Sequence, residues 1–265
     1  MSNKGSIGSL YLVGIGPGAA DLLTPLAQAA LQGCDTVVGY HAYLDQIAGV
    51  LTDKDLVSME LGQELERARR AVDLASGGHR VVVVSSGDAG VYGMAGPVFS
   101  VLTDRAWDGI HPHVEVVPGV SAMMAAAALL GSPLMQDFCA ISLSDLLTPW
   151  NTIRRRLEAA AQGDFVVALY NPRSRTRQWQ LPEARRILLE HRSDETPVGI
   201  VRDAFREGQR VTVTDLRGLE DHMQAVDMVT TVVVGNSTSY IHSGYFVTPR
   251  GYEAKRAPIS GPTQT

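Results

Sequence analysis

Short runs of β-branched and aliphatic residues alternate along the chain with longer stretches of helical periodicity, and no other feature of the sequence limits the fold as strongly. The runs lie at 10–15, 36–39, 80–85, 114–117, 139–143, 165–170, 197–202, 210–214 and 230–235. Parallel strands need a crossover connection, which is usually a helix, so strands that alternate with helices are typical of α/β proteins. We therefore predict an α/β fold.

The character of the runs changes between the two halves of the chain. The run at 81–84 is uninterrupted and apolar, as expected for a parallel strand buried on both faces, whereas 211–214 alternates valine with threonine like a half-exposed strand. A Gly-Ser-Pro break at 131–133 separates the halves. We predict a mainly parallel first sheet and a mixed second sheet, in an N-terminal α/β lobe at 1–131, a C-terminal α/β lobe at 132–250 and a flexible tail at 251–265.

Local signals place the first helices. Thr24 is a suitable N-cap, Pro25 stands at the first helical position and Gly33 ends the apolar periodicity, which predicts a helix over 25–33. A second helical stretch covers 63–75 and stops at a pair of glycines.

Composition excludes several classes of protein. The 265 residues include 23 Lys and Arg against 28 Asp and Glu, a net charge of −5, so the chain lacks the positive charge that non-specific nucleic-acid binding requires. The two cysteines, Cys34 and Cys139, are far apart in sequence and indicate neither a disulfide framework nor a cysteine metal site. The longest uncharged stretch, 116–136, contains prolines and glycines, and the N-terminus lacks a signal-peptide pattern. We expect a cytoplasmic protein without nucleic-acid or membrane partners.

The first glycine-rich turn follows the first apolar run. Gly14, Gly16 and Ala19 match the G-x-G-x-x-A fingerprint of dinucleotide-binding folds. Pro17, however, has no amide hydrogen to donate to a pyrophosphate, and Asp35 precedes the second strand instead of ending it. The turn therefore predicts either a nicotinamide site or a tight strand-to-helix connection.

A second glycine-dense loop, SSGDAGVYGMAG at 85–96, leaves the end of a buried strand. Open α/β sheets bind ligands at the carboxyl ends of their strands. Glycines allow a ligand to approach the backbone closely, and Asp88 can accept hydrogen bonds from ribose hydroxyls or an ammonium group. The alternative is that Asp88 only caps the following helix.

Two further strand ends carry polar residues. The sequence VVPGVSA at 116–122 places Ser121 where it can cap an alanine-rich helix. The sixth apolar run leads into a loop with Arg173, Arg175 and Arg177. Guanidinium groups bind carboxylates through two parallel hydrogen bonds, so this loop suits a substrate with several carboxylates. Spacing alone leaves a solvated basic loop as the alternative.

The sequence shows no group of residues with the spacing of a metal site or of a covalent catalytic site. His111 and His113 form the only close histidine pair, and no cysteine or carboxylate near them has zinc-site spacing, so we interpret both as structural. Neither a G-x-S-x-G elbow nor a Walker A sequence occurs. We expect no metal.

Three of these stretches, in this order, resemble the tetrapyrrole methylase family. The sequence VGIGPG at 13–18 is similar to the family's V-G-x-G-P-G, GDAGVY at 87–92 to its G-D-P-x-x-Y loop, and PGVSA at 118–122 to its P-G-[IV]-[ST]-[SA]. Ala89 stands where most relatives have proline. Members of this family are S-adenosylmethionine-dependent methyltransferases of cobalamin and sirohaem synthesis.

Further stretches resemble one branch of that family. They are ISLSDLLTPW at 141–150, LYNPRSRTR at 169–177, TPVGIVRDAFREGQ at 196–209, DMVTTVVVGNS at 227–237 and VTPRGY at 247–252. The resemblance implies methylation of the tetrapyrrole precorrin-3B at C17, with contraction of its ring to give precorrin-4, on a metal-free or a cobalt-bearing substrate. It also implies two α/β lobes with S-adenosylmethionine in the cleft between them, usually in a homodimer.

The resemblance and the residue pattern together define a candidate site. Residues expected to bind the cofactor are Pro17, Gly87, Asp88, Val91, Ser121, Ala122, Tyr170, Asn171, Ala204 and Thr231. Residues expected to bind the substrate are Gly16, Pro17, Arg173 and Arg175. Ring contraction requires a group that moves a proton at the C20 hydroxyl, and the candidates are Asp88, Tyr92 and Asp203.

Other functions stay open on the sequence alone. A nicotinamide-dependent oxidoreductase would use the turn with Gly14 and Gly16, and a non-catalytic tetrapyrrole carrier would use the arginine loop without a cofactor. A different member of the tetrapyrrole methylases would share the first three motifs.

Overall fold

The computed structural model of the chain describes residues 8–252, which divide into two compact units. The first unit contains the residues up to Ala125 together with Phe205–Glu207, and the second contains Ala126–Ala204 together with the residues from Gly208 onward. The division falls inside the helix Ala122–Leu130, whereas the predicted boundary at Gly131 directly follows that helix. Most of the predicted tail, 253–265, lies outside the described residues.

The first unit is built on a parallel sheet. Its strands are β1 (Ser9–Gly14), β2 (Thr36–Tyr40), β3 (Asp55–Met59), β4 (Arg80–Ser85) and β5 (His113–Val117). Its helices are α1 (Pro25–Gly33), α2 (His41–Gln46), α3 (Glu64–Ser76), α4 (Ala95–Asp104) and the first part of α5 (Ala122–Leu130). The strand order is β3-β2-β4-β1-β5, and every neighbouring pair is parallel.

Both faces of this sheet are buried, which explains the continuous apolar runs. Successive side chains of a strand point to opposite faces of the sheet. Val81 and Val83 of β4 therefore pack in one buried cluster with residues of α3 and α4. Val82 and Val84 pack in another cluster with residues of α1 and α2. The prediction of a mainly parallel first sheet is confirmed.

The helices of the first unit begin and end close to the predicted residues. Thr24 caps α1, since its Oγ1 accepts a hydrogen bond from the Ala27 amide at 3.1 Å, and Pro25 occupies the first helical position. α3 covers Glu64–Ser76, where 63–75 was predicted. In the described range, no helix combines the length and the apolar character needed to cross a membrane.

The second unit contains a mixed sheet. Its strands are β6 (Gly131–Ser132), β7 (Phe138–Ser142), β8 (Val166–Tyr170), β9 (Pro197–Arg202), β10 (Arg210–Asp215), β11 (Thr230–Val234), β12 (Tyr240–His242) and β13 (Tyr245–Val247). Its helices are α6 (Trp150–Gln162), α7 (Gln180–Leu189) and α8 (Leu219–His222). The main sheet has the order β10-β9-β11-β8-β7, in which only β7 and β8 run parallel, and β12-β13-β6 form a small second sheet.

The main sheet of the second unit packs against helices α6 and α7. Its core includes Leu169 of β8, Val232 of β11 and side chains of α6 and α7 such as Leu157 and Leu181. β10 lies at the edge, where its alternating sequence leaves it half exposed, as predicted. Four strands have no counterpart in the sequence analysis, because β3 is partly polar and exposed, and β6, β12 and β13 are too short to show a period.

Candidate functional site

The carboxyl ends of β4, β1 and β5 lie side by side in the first unit, and a glycine-containing loop follows each of them. From β1 the chain crosses to β2 on one side, and from β4 it crosses to β5 on the other. In open α/β sheets such a reversal leaves a crevice at the carboxyl ends, where ligands bind. The three loops therefore form the candidate site of the first unit.

These loops touch through their backbones at glycines. Gly16 and Gly87 form an antiparallel bridge, with N–O distances of 3.0 and 2.7 Å. A Cβ atom on Gly14 would lie 2.6 Å from the Gly87 carbonyl oxygen, and one on Gly119 would lie 2.7 Å from the carbonyl carbon of Gly14. Since real Cβ atoms do not approach other atoms so closely, only glycine permits this junction.

Asp88 links two of the loops through its carboxylate. Oδ1 accepts a hydrogen bond from the Gly90 amide at 2.8 Å, and Oδ2 accepts one from the Gly119 amide at 2.9 Å. The helix after this loop, α4, is preceded by Met94 and has no side-chain cap, so the interpretation of Asp88 as a helix cap is wrong. A carboxylate has about four acceptor positions, so Asp88 retains capacity for a ligand donor.

The rest of the loop after β4 is closed by its own hydrogen bonds. Ser85 Oγ accepts from the Met94 amide at 2.9 Å, and Ala89, fully buried, accepts from the Ala95 amide through its carbonyl oxygen at 3.0 Å. Tyr92 has a φ of 55° and is 55% exposed. A left-handed conformation is uncommon for a residue other than glycine, and such strain concentrates at functional sites.

The predicted cofactor residues of the first unit come together at this edge. Ser121 is buried immediately before α5, and its carbonyl oxygen accepts from the Ala125 amide. A Cβ atom on Gly87 would lie 3.5 Å from Ser121 Cα and from the Ala122 nitrogen. The remaining members are Pro17, which is buried in the Gly16–Gly18 turn, and Val91, whose amide donates to the Asp88 carbonyl oxygen at 3.3 Å.

The second unit has its own group of predicted site residues, where β7 and β8 end next to each other. Asn171 has a φ of 48°, and its Nδ2 donates to Ser142 Oγ at 3.0 Å. The Leu143 amide donates to the Tyr170 carbonyl oxygen at 2.9 Å. Arg177, only 6% exposed, donates from Nη2 to the Asn171 carbonyl oxygen at 2.9 Å.

The three predicted arginines have different environments. Burial lowers the pKa of Arg177, so this guanidinium is part of the loop's interior. Arg173 donates from Nη1 to the Met223 carbonyl oxygen at 2.7 Å and from Nη2 to Gln224 Oε1 at 3.0 Å. Arg175 is exposed. The interpretation of all three as solvated is therefore wrong for Arg173 and Arg177.

A pocket of about 380 Å³ opens at this arginine loop. Its lining consists of Arg173, Ser174, Arg175, Gln178, Gln224, Val226, Asp227, Met228 and Val229. The pocket combines two guanidinium groups with an apolar wall and one carboxylate, that of Asp227, which is paired with Arg202 at 3.0 Å. Because the carboxylate is paired, this composition suits an anionic side chain of a larger apolar ligand.

The remaining predicted residues also belong to the second unit. Thr231 is buried within β11, opposite Val201 of β9. Asp203 has a φ of 50°, and its Oδ2 lies 2.6 Å from Arg202 Nη1. Ala204 packs against a buried cluster that includes Val201. In the second unit, the predicted cofactor residues therefore lie at the end of β8, within β11 and after β9.

Sequence reasoning missed several residues of these groups. The Gly119 amide, Ser142 and Arg206 were not predicted as members, although the first lies in a predicted motif and the second ends a predicted strand. Arg206 lies over Gly18, because a Cβ atom there would be 2.7 Å from Arg206 Cγ. A polar residue at the end of every strand of a predicted α/β sheet is the signal that would have found Ser142.

Comparison with known proteins places these features in a family. Residues 9–220 match the family of Tetrapyrrole (Corrin/Porphyrin) Methylases. A cobalt-factor III methyltransferase of Priestia megaterium is 48% identical over 251 residues, which are 94% of this chain and 46% of that protein. The probable cobalt-factor III C(17)-methyltransferase of Salmonella typhimurium is 44% identical over 243 residues, 92% of this chain and 99% of that protein. The precorrin-3B C(17)-methyltransferase of a Sinorhizobium species is 42% identical over 234 residues, 88% of this chain and 91% of that protein.

Solved structures agree with the fold. The crystal structure of the methyltransferase CobJ is similar with a TM-score of 0.86 and 39% identity, over 91% of this chain and 100% of that one. A uroporphyrin-III C-methyltransferase from Thermus thermophilus, in complex with S-adenosylhomocysteine, shares the fold with a TM-score of 0.67 and 24% identity, over 86% of this chain and 97% of that one.

Proposed function

Because this chain belongs to the tetrapyrrole (corrin/porphyrin) methylases, we propose that it transfers a methyl group from S-adenosylmethionine to C17 of a precorrin-3B-type macrocycle and contracts the ring. The observation that carries the proposal is the junction of three glycine loops held by Asp88 at the carboxyl edge of the parallel sheet. Relatives named for C17 methylation of precorrin-3B or cobalt-factor III support the position of methylation.

The residues of the first unit fit the polar parts of this cofactor. Gly87 and Gly90 present backbone without side chains, and Asp88 retains acceptor positions for ribose hydroxyls or an ammonium group. The buried Ser121 is close to Gly87. S-adenosylmethionine, if held by these residues, would supply a sulfonium methyl group for a new carbon–carbon bond at C17, and the electron pair of the broken carbon–sulfur bond would stay on sulfur. The protein's contribution to that step is to hold the two reactants in line.

Ring contraction requires a side chain that takes the proton of the C20 hydroxyl. Both oxygens of Asp88 hold backbone amides, and Asp203 is paired with Arg202. Tyr92 is the most exposed of the three candidates and is held in a left-handed conformation at the same loop. A carboxylate can accept a hydroxyl proton, whereas a phenol keeps its own proton at neutral pH, so we assign proton transfer first to Asp88, which retains acceptor positions, with Tyr92 and Asp203 as the other candidates.

The substrate is a polyanion, and the chain has a net charge of −5, so local positive charge must attract it. Arg175 is exposed at the pocket of the arginine loop, and Arg173 lines the same pocket. We assign these two residues to substrate carboxylates, and Gly16 with Pro17 to the macrocycle. We further propose that the protein is a cytoplasmic homodimer, which size-exclusion chromatography with light scattering would test.

A nicotinamide site at the first glycine-rich turn would lack two backbone donors for the pyrophosphate. The Gly16 amide donates to the Gly87 carbonyl oxygen at 3.0 Å, and Pro17 has no amide hydrogen. Neither group is therefore left to cradle a pyrophosphate.

One experiment tests the proposed function. The protein is incubated with S-adenosylmethionine and either precorrin-3B or cobalt-factor III, and the product is analysed by mass spectrometry and ¹³C NMR. We expect a mass gain of one methylene and a C20 signal outside the macrocycle. A methylated product with an uncontracted ring would mean a different member of the family. Binding of NADPH in place of S-adenosylhomocysteine in calorimetric titration would contradict the proposal altogether.

A further inference from the structure

A second group of polar side chains lies in the first unit and reaches the Gly16–Gly18 turn. Tyr43 lies on α2, which follows β2, and Arg67 lies on α3, which follows β3. Arg206 belongs to the segment Phe205–Glu207, which is part of the same unit. Both helices begin at the carboxyl edge of the sheet, where the candidate site lies.

Arg67 is a buried guanidinium with few acceptors. It is 3% exposed, its Nη2 donates to the Glu60 carbonyl oxygen at 2.6 Å, and its Nη1 contacts Met94 Sδ at 3.4 Å. Its Nε has no acceptor, and no carboxylate among residues 8–252 forms an ion pair with it. An unbalanced buried cation is costly, so the site gains from an anion nearby.

Arg206 lies directly on the turn assigned to the macrocycle. A Cβ atom on Gly18 would be 2.7 Å from Arg206 Cγ, so the aliphatic part of the arginine rests on bare backbone. Gly18 itself has a φ of 130°, a conformation suited to glycine. Phe205, the neighbouring residue, has a φ of 55°. Strained residues persist where the surrounding structure holds them, and they cluster at ligand sites.

Both arginines act electrostatically on Tyr43. Burial raises the pKa of the Tyr43 phenol, and the positive charges of Arg67 and Arg206 oppose that rise. Both guanidinium groups are therefore close enough to act on the phenol. Glu64 also acts on Tyr43, but its Oε1 accepts from the Gly62 amide at 3.0 Å. This group of residues contains two cations and a phenol hydroxyl.

We propose that Arg206 binds an acetate or propionate carboxylate of the tetrapyrrole, with Tyr43 and Arg67 as positioning residues behind it. This inference rests on the proposed function, since a macrocycle at the Gly16–Gly18 turn brings its peripheral carboxylates to this group of residues. A guanidinium can hold a carboxylate through two parallel hydrogen bonds, which fixes the orientation of the ring as well as its affinity.

The test compares Arg206→Gln and Arg206→Lys with Arg70→Gln. Arg70 is an exposed arginine of α3 in the same unit, so its replacement removes the same charge away from this group of residues. We expect Arg206→Gln to raise the KM for the tetrapyrrole about tenfold or more and to weaken its dependence on salt. Arg206→Lys should lie between Arg206→Gln and the wild type, because it keeps the charge and loses the fork. Affinity for S-adenosylhomocysteine, measured by calorimetry, and kcat should stay within about twofold.

The outcomes separate this inference from the proposed function. If the wild type converts the tetrapyrrole and Arg206→Gln has an unchanged KM, the carboxylate site is wrong and the function stands. Equal losses for tetrapyrrole and S-adenosylhomocysteine would show a structural role for Arg206 and would also overturn the site. If the wild type converts neither substrate, the proposed function fails. Binding of uroporphyrin III, followed by fluorescence quenching, then decides the site: a loss confined to the Arg206 variants supports it, and equal binding by all variants refutes it.

Discussion

Replacement of Asp88 by asparagine tests the central contact of the glycine junction. Oδ1 of Asp88 accepts from the Gly90 amide at 2.8 Å, and Oδ2 accepts from the Gly119 amide at 2.9 Å. Asparagine has the same shape but only one side-chain oxygen. In either orientation one of the two amides therefore faces an NH₂ donor in place of an acceptor.

The magnitude follows from these two bonds. A hydrogen bond to a charged group contributes about 1.5–3 kcal/mol, and a buried amide left without an acceptor costs about 1–3 kcal/mol. The two costs overlap in Asp88→Asn, and both Asp88 and Gly119 are only half-buried. We therefore expect a loss of about 2 kcal/mol in the free energy of unfolding, which lowers Tm by about 4–8 °C in a protein of this size.

Two measurements on Asp88→Asn separate its roles. Thermal unfolding of the protein without ligand reports the loop contact, and calorimetric titration with S-adenosylhomocysteine reports ligand binding. If Asp88 also binds the cofactor, the affinity falls about tenfold or more in addition to the lower Tm. Asp104→Asn, an exposed position at the end of α4, is the control and should change stability by less than about 0.5 kcal/mol. An Asp88→Asn protein with the Tm and the affinity of the wild type would refute the reasoning.

Three further predictions concern the loops and the surface. Gly119→Ala should lower Tm sharply, since its Cβ would collide with the backbone of two neighbouring loops. The control Gly96→Ala has open space around it on α4 and should raise the free energy of unfolding by about 0.5–1 kcal/mol. Equal effects of the two substitutions would contradict the glycine junction. Arg175→Gln should raise the KM for the tetrapyrrole at unchanged Tm, whereas the same change at Arg173, which holds a backbone carbonyl and a glutamine, should also lower Tm. A hydrogen bond from the amide of a histidine three residues later is the largest cause that lowers the pKa of Asp108 from 3.8 to about 2. The ionised Asp108 carboxylate therefore contributes fully to stability above pH 3.8, and this contribution is lost as the pH falls through about 2. Urea unfolding at both ends of this pH range should show that Asp108→Asn is less stable than the wild type only at the higher pH.

Much of the fold can be predicted from local patterns in the sequence. Alternate valines of β4 enter different clusters because side chains of a strand alternate in direction, and that period is visible in four consecutive residues. The start of α1 is equally local, since the cap joins Thr24 to an amide three residues later. The glycine-rich turns at Gly14, Gly87 and Gly119 were also visible as motifs at strand ends.

Only the tertiary structure shows how distant strand ends combine. Asp88 reads as a helix cap or a ligand residue in the sequence, but its second oxygen binds an amide 31 residues away. The contact of Arg206 with Gly18 likewise joins residues from opposite ends of the chain. Strand order decides the contact of Asp88, because it sets which loops meet at the sheet edge, and strand order depends on the packing of helices against the whole sheet. Local residue patterns predict the type of each helix or strand and where it begins and ends. The hydrogen-bond partner of a polar side chain depends on how elements that are distant in sequence pack together.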